Sequence, residues 1–138
     1  MDEFELIKNY FQKLTKNNTS ALKLNDDVFF DKKNRVVVSI DNYEENVHFL
    51  NFKKPDLVIK KILRSSISDL YCKGVKPKFI FVGASGDKKS FSSKNLNLIF
   101  KSLKEEQNKY GIKLSGGDTT KSKKLTFSIT SLGYSKRI

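Results

Sequence analysis

The chain has 138 residues, 38% of them hydrophobic with 11 Phe and 5 Tyr, which is enough for one ordinary domain and too little for a second. Its single cysteine, Cys72, and single histidine exclude an internal disulfide and a Cys/His zinc cluster, so any metal must be held by oxygen. No apolar stretch approaches the roughly 20 residues that span a bilayer, and Asp2, Glu3 and Glu5 stand where a signal peptide would be positive, so a cytoplasmic protein without a membrane segment is expected.

From Asp2 to Lys16 the apolar residues Phe4, Ile7, Tyr10, Phe11 and Leu14 recur at three- and four-residue spacings, which predicts an amphipathic helix. Asn25-Asp26-Asp27 is an acidic turn. The β-branched run Arg35-Val-Val-Val-Ser-Ile-Asp41 predicts a buried strand that ends on a carboxylate. Pro55 suits the first turn of a helix to about Lys73, with Gly74 as a left-handed stop. Lys78 to Gly83 predicts a strand. Ser92 or Ser93 can cap the next helix, whose Leu96, Ile99, Phe100, Leu103 and Tyr110 share a face until Gly111. A short strand, Ile112-Lys-Leu114, leads into Ser115-Gly-Gly-Asp-Thr119. Leu125 to Tyr134 alternates apolar residues with Thr126, Ser128 and Thr130, the period of a half-buried strand.

These elements predict an α+β fold over residues 1–138, one mixed β-sheet with helices on one face. The apolar runs Val36-Val37-Val38 and Phe79-Ile80-Phe81-Val82 leave the sheet with a second face to cover, and no segment of the chain remains to cover it. Pairing of two copies through the sheet, as a homodimer, is the expectation.

Four carboxylates stand where a strand or helix meets a turn: Asp27, Asp41, Asp69 and Asp118. An Asp after a strand is usually a cap or turn residue. Asp69 departs from that pattern, because helical spacing puts it between Val58 and Ile62 on the apolar side of its helix. A carboxylate there needs a metal, a lysine or backbone amides to meet it. Magnesium suits several scattered carboxylates, since it takes oxygen ligands, keeps waters and is shared with a nucleotide's phosphates. Gly116 and Gly117 would let the backbone approach a phosphate closely. No Walker A sequence or kinase Gly-rich loop is present.

Glu3-Phe-Glu-Leu-Ile-Lys-Asn-Tyr-Phe11, Asn25-Asp-Asp27, Ser39-Ile-Asp41 with Val47-His-Phe49, Ser68-Asp69 with Gly74, and Ser115-Gly-Gly-Asp-Thr-Thr120 follow one another in the order and spacing of bacterial thiamine-monophosphate kinases. The chain thus resembles the amino-terminal half of that family, which belongs to the aminoimidazole ribonucleotide synthetase superfamily of ATP-binding enzymes. The resemblance implies the amino-terminal-domain fold of that superfamily and ATP-dependent phosphorylation of thiamine monophosphate to thiamine diphosphate. It also implies a two-fold dimer through the sheets and a carboxy-terminal domain absent from this chain, without which little turnover is expected. Asp27, Asp41, Asp69 and Asp118 match the family's Mg2+-binding aspartates, and Ser39 matches a further metal contact. Gly117 with Asp118 matches the ATP-binding turn, and His48 matches a position that touches the thiamine substrate.

The sequence departs from the family at Asn25, usually Gly, at Ile40, usually Thr, at Ser66, usually Asn, and at Tyr71-Cys72-Lys73, usually Ala-Ala-Met. Two other readings remain: a sibling enzyme with another acceptor, and a basic nucleic-acid-binding module. The net charge of +12 would favour the module, but 24 of the 27 basic residues are lysines spread along the whole chain, the pattern of a solvated surface, so nucleic acid is not the expected partner.

Overall fold

In the computed structural model, which describes residues 2–136, five strands form one mixed sheet in the order β1-β2-β5-β3-β4. These are β1 Phe29–Asp31, β2 Val36–Glu44, β3 Pro77–Gly86, β4 Lys113–Lys121 and β5 Thr126–Tyr134. β3 and β4 run parallel, and the other neighbours run antiparallel. Two long helices, α2 (Pro55–Tyr71) and α3 (Ser93–Tyr110), complete the core. The expected mixed sheet with helices is therefore present.

The punctuation residues act as their chemistry requires. Pro55 opens α2, the Ser92 side chain accepts the Asn95 amide at the start of α3, and Gly74 and Gly111 turn left-handed at φ 70° and 65°. Inward-facing Tyr43, Ile80, Phe127 and Ile129 of the sheet pack with Ile59, Ile62, Leu63 and Ile67 of α2. Gly117 packs its backbone so near β3 that a Cβ there would collide with the carbonyl oxygen of Val82.

Three expectations need correction. The N-terminal segment is not one helix: a single α-helical turn, α1 (Glu3–Leu6), passes into a π-helical turn over Ile7–Phe11 and a 3-10 turn over Gln12–Thr15. Its apolar residues stay outside the core, with Phe4 and Leu14 each 81% exposed. The helical spacing is present, but only Ile7 is partly buried, beside Leu24, while Phe4, Tyr10, Phe11 and Leu14 are exposed. β4 runs on through the Gly-Gly-Asp-Thr segment to Lys121, because pairing with β3 supplies what its small polar residues lack in strand propensity.

Helix α3 also turns differently. Leu96 and Phe100 are exposed, while Ser102 and Glu106 are buried. The reason lies in its contact with α2: Ser102 donates to the Asp56 carbonyl at 2.8 Å, and Glu106 receives both Arg64 Nε and Nη2, at 3.0 and 2.9 Å. A buried carboxylate so paired fixes the packing of the two helices, while Ile99, Leu103 and Tyr110 of the expected stripe still pack against the core and Leu96 and Phe100 are left exposed.

Candidate functional site

Strand β2 turns Val37, Ser39, Asp41 and Tyr43 toward α2 by simple alternation, with Ile40 67% exposed on the opposite face. Asp69, half-buried in the last turns of α2, meets Asp41 there. Burial, then the adjoining Asp69 carboxyl, then the charges of Asp69 and Asp27, push the Asp41 carboxyl up to about 7 from its ordinary 3.8. Asp41 Oδ2 is buried without a hydrogen-bond partner. Carboxylates gathered in this way, with an orphaned oxygen, call for a proton or a cation.

This shift sets a pH dependence. The native chain keeps a proton on Asp41 that the unfolded chain loses above about pH 4. That stabilisation is full below about pH 4 and is lost as pH rises through about 7. The metal-free chain should therefore melt at a lower temperature near pH 8 than near pH 5.5, with Mg2+ raising the melting temperature near pH 8 and barely near pH 5.5. Equal melting temperatures at the two pH values would remove the buried pair from the account.

Asp27 is exposed on the turn before β1. Its neighbour Asp26 accepts the Asp27 amide at 2.7 Å and pairs with Lys73 Nζ, also at 2.7 Å. The Lys73 hydrogen bond holds the Asp26 carboxyl below its usual range. A cleft of about 760 Å³ is lined by Asp26, Asp27, Ser39, Asp41 and His48, among others. His48 Nδ1 accepts the Glu44 amide at 2.9 Å, which leaves Nε2 as the ring's donor.

Ser39 is 3% exposed, and its hydroxyl pairs with Ser131 at 3.0 Å. Ser131 reaches the Ser66 carbonyl at 3.5 Å, and Ser66 Oγ pairs with the Tyr43 hydroxyl at 2.8 Å. A ladder of buried hydroxyls thus joins β2, β5 and α2 beneath the carboxylates, and Tyr43 accounts for a small Ser at position 66. Asp118 lies apart. It is exposed, in register with Gly83, Ser128 and Asn42, so three strand spacings, about 14 Å, separate its strand from β2.

Among the described residues no three Asp, Glu, His or Cys side chains converge as a ready-made ion cage. Asp41 and Asp69, with Asp27 nearby, fit magnesium as partial ligands, since that ion retains waters and accepts phosphate oxygens. Asp118 belongs to a second shallow cleft with Gly116 and Gly117. A ligand touching both clefts must be extended, as a polyphosphate is. Lys73, which meets Asp26, stands four residues after Asp69 in the turn that closes α2.

Residues 23–135 match the model of the AIR synthase related protein family, N-terminal domain. The chain belongs to this family. It is 30% identical over 138 residues to the thiamine-monophosphate kinase of Haemophilus influenzae, covering 97% of this chain and 41% of that protein. Against the thiamine monophosphate kinase structure from Aquifex aeolicus the TM-score is 0.77 at 22% identity, covering 99% of this chain and 45% of that one. The AaThiL chain complexed with AMPPCP and TMP gives a TM-score of 0.78 at the same identity, covering 99% of this chain and 45% of that one. The chain therefore spans less than half the length of these relatives.

Proposed function

We propose that this chain is the amino-terminal, magnesium- and nucleotide-binding domain of an ATP-dependent kinase that converts thiamine monophosphate to thiamine diphosphate in the cytoplasm. The observation that carries the reading is the contact of Asp69 with Asp41, which itself lines a cleft together with Asp27 and His48. Its similarity to thiamine-monophosphate kinases selects the acceptor. Mg2+, when bound, would neutralise the nucleotide's phosphates and the acceptor phosphate. Asp27, Asp41 and Asp69 would hold it from one side of the sheet, and Asp118 with the side-chain-free Gly116-Gly117 backbone of β4 would meet the nucleotide from the other. The Ser39 hydroxyl, paired with Ser131, keeps a lone pair that a metal contact at that position would use. His48 Nε2 is the donor offered to thiamine monophosphate. Phosphoryl transfer depends on positioning and charge neutralisation, which half a clamp provides only in part.

The test is product analysis with the protein extended to the length of its relatives. Supplied with ATP and Mg2+, it should form thiamine diphosphate and ADP from thiamine monophosphate. Turnover of another phosphate or amine acceptor instead would move the protein to a sibling reaction.

The same reading includes a homodimer through the uncovered sheet face, where Ile40 is 67% and Phe81 37% exposed beside outward-facing Val36 and Val38. Covering this face would bury roughly 1,600 Å² in total. Sedimentation equilibrium at micromolar concentration should return twice 15.8 kDa. A clean monomer would mean that the face is solvated or that the family's remaining length is needed for pairing.

A further inference from the structure

The turn that carries Asp27 is held in place at some conformational cost. Leu22, Lys23 and Leu24, three successive residues with side chains, are left-handed at φ 52°, 56° and 57°. This conformation is unfavourable for each of them and persists only where neighbours enforce it. One restraint comes from Gln12, whose Nε2 donates to the Lys23 carbonyl at 3.0 Å and to Asn25 Oδ1 at 3.3 Å. Another is Val28, buried with Val37, Leu70 and Val75. Between these two anchors the acidic residues are exposed, and Lys73, in the turn that follows α2, reaches Asp26.

We infer that Lys73 is a positioning residue for the candidate metal site, latching the Asp26-Asp27 turn to the helix that carries Asp69. The geometry is specific. Lys73 Nζ contacts both oxygens of Asp26, at 2.7 and 2.9 Å, and Asp26 Oδ1 in turn accepts the Asp27 amide. Lys73 follows Asp69 by one helical turn, in the segment that Gly74 closes with the Val75 amide bonded to the Leu70 carbonyl. One lysine thus sets the spacing between the carboxylate on the loop and the carboxylate on the helix.

The inference rests on the magnesium reading above, and its sign separates it from a plain charge effect. If Lys73 were only a counter-charge, its removal would leave the carboxylates more negative and tighten Mg2+ binding. A latch predicts the reverse, because partners behind metal ligands typically change affinity by about 10–100-fold.

The experiment titrates the 138-residue chain with Mg2+ alone, by calorimetry, as wild type, Lys73→Met and Lys73→Arg, and also records each melting temperature without metal. The expected result is about 10-fold weaker Mg2+ binding for Lys73→Met, near-wild-type binding for Lys73→Arg, and a metal-free melting temperature that moves little. Equal or tighter binding by Lys73→Met, or Lys73→Arg as weak as Lys73→Met, overturns the latch while leaving the site intact. No Mg2+ binding by the wild type overturns the site reading and the latch with it.

Discussion

Replacing Asp69 with Asn should act in opposite directions on the metal-free and metal-bound chain. Without Mg2+ and near pH 8, where Asp41 is ionised, the substitution removes one member of the crowded carboxylate pair and should raise the melting temperature, because Asp41 no longer faces a like charge in a half-buried place. With Mg2+ and ATP, the same change removes a ligand. Its loss should cost about 2 kcal/mol of binding, by analogy with a charged hydrogen bond. That is about a thirtyfold rise in the dissociation constant. Paired thermal melts and titrations on the wild type and Asp69→Asn check both signs at once. A variant less stable than wild type without metal would show that Asp69 is a structural residue with a partner of its own. Asp27→Asn should show the weaker binding without the stabilisation, since Asp27 is exposed.

Gly117→Ala is expected to damage the fold itself. A Cβ at this position would strike the Val82 carbonyl oxygen, a backbone atom that cannot swing aside, so β4 must move off β3. The expected loss is about 3 kcal/mol, the upper end for overpacking. For a chain of this size that corresponds to a melting temperature lower by roughly 10 °C. Gly116→Ala is the control. Its Cβ would meet the Phe81 ring at 3.2 Å, and a side chain on the open face can yield a few tenths of an ångström. Its cost should stay under about 1 kcal/mol. Equal stability for both variants would mean that the glycines answer only to a ligand's approach. The sequence suggested the phosphate reading of the glycine pair; the structure adds that Gly117 is required by strand packing whether or not a phosphate ever binds.

What could be read from the sequence differed by residue. Helices α2 and α3 were legible because Pro55, Ser92, Gly74 and Gly111 have a single strong reason to occupy their positions. β4 beyond Leu114 was not, since Ser-Gly-Gly-Asp-Thr-Thr becomes a strand only through its partner β3. β1, three residues long, carries too few side chains to show a period. The N-terminal segment misled in the other direction: its spacing is helical, but a helical pattern does not say whether a receiving surface exists.

The candidate site divides along the same line. Asp41, expected at a strand end but in fact three residues inside β2, and Asp69 on the apolar side of its helix were each conspicuous alone, and the fold brings them together. The 14 Å offset of Asp118, about three strand spacings, could not be seen without the strand order. Neither could the engagement of Ser39 with Ser131, 92 residues away, nor the Lys73 bridge to Asp26 across 47 residues. Pairings between distant segments leave no local pattern. Three of the departures from the family, Asn25, Ser66 and Lys73, have side-chain partners in the structure, Gln12, Tyr43 and Asp26.

These carboxylates form a cation site that serves a nucleotide in the function proposed above. The most direct test is calorimetric titration of the 138-residue chain with a non-hydrolysable ATP analogue at pH about 7.5, once with millimolar Mg2+ and once with chelator. Binding is expected with Mg2+ and none detectable without it, because four aspartates repel a bare polyphosphate. Equal binding in the two conditions would contradict it, and would place the nucleotide on the lysine-rich surface instead.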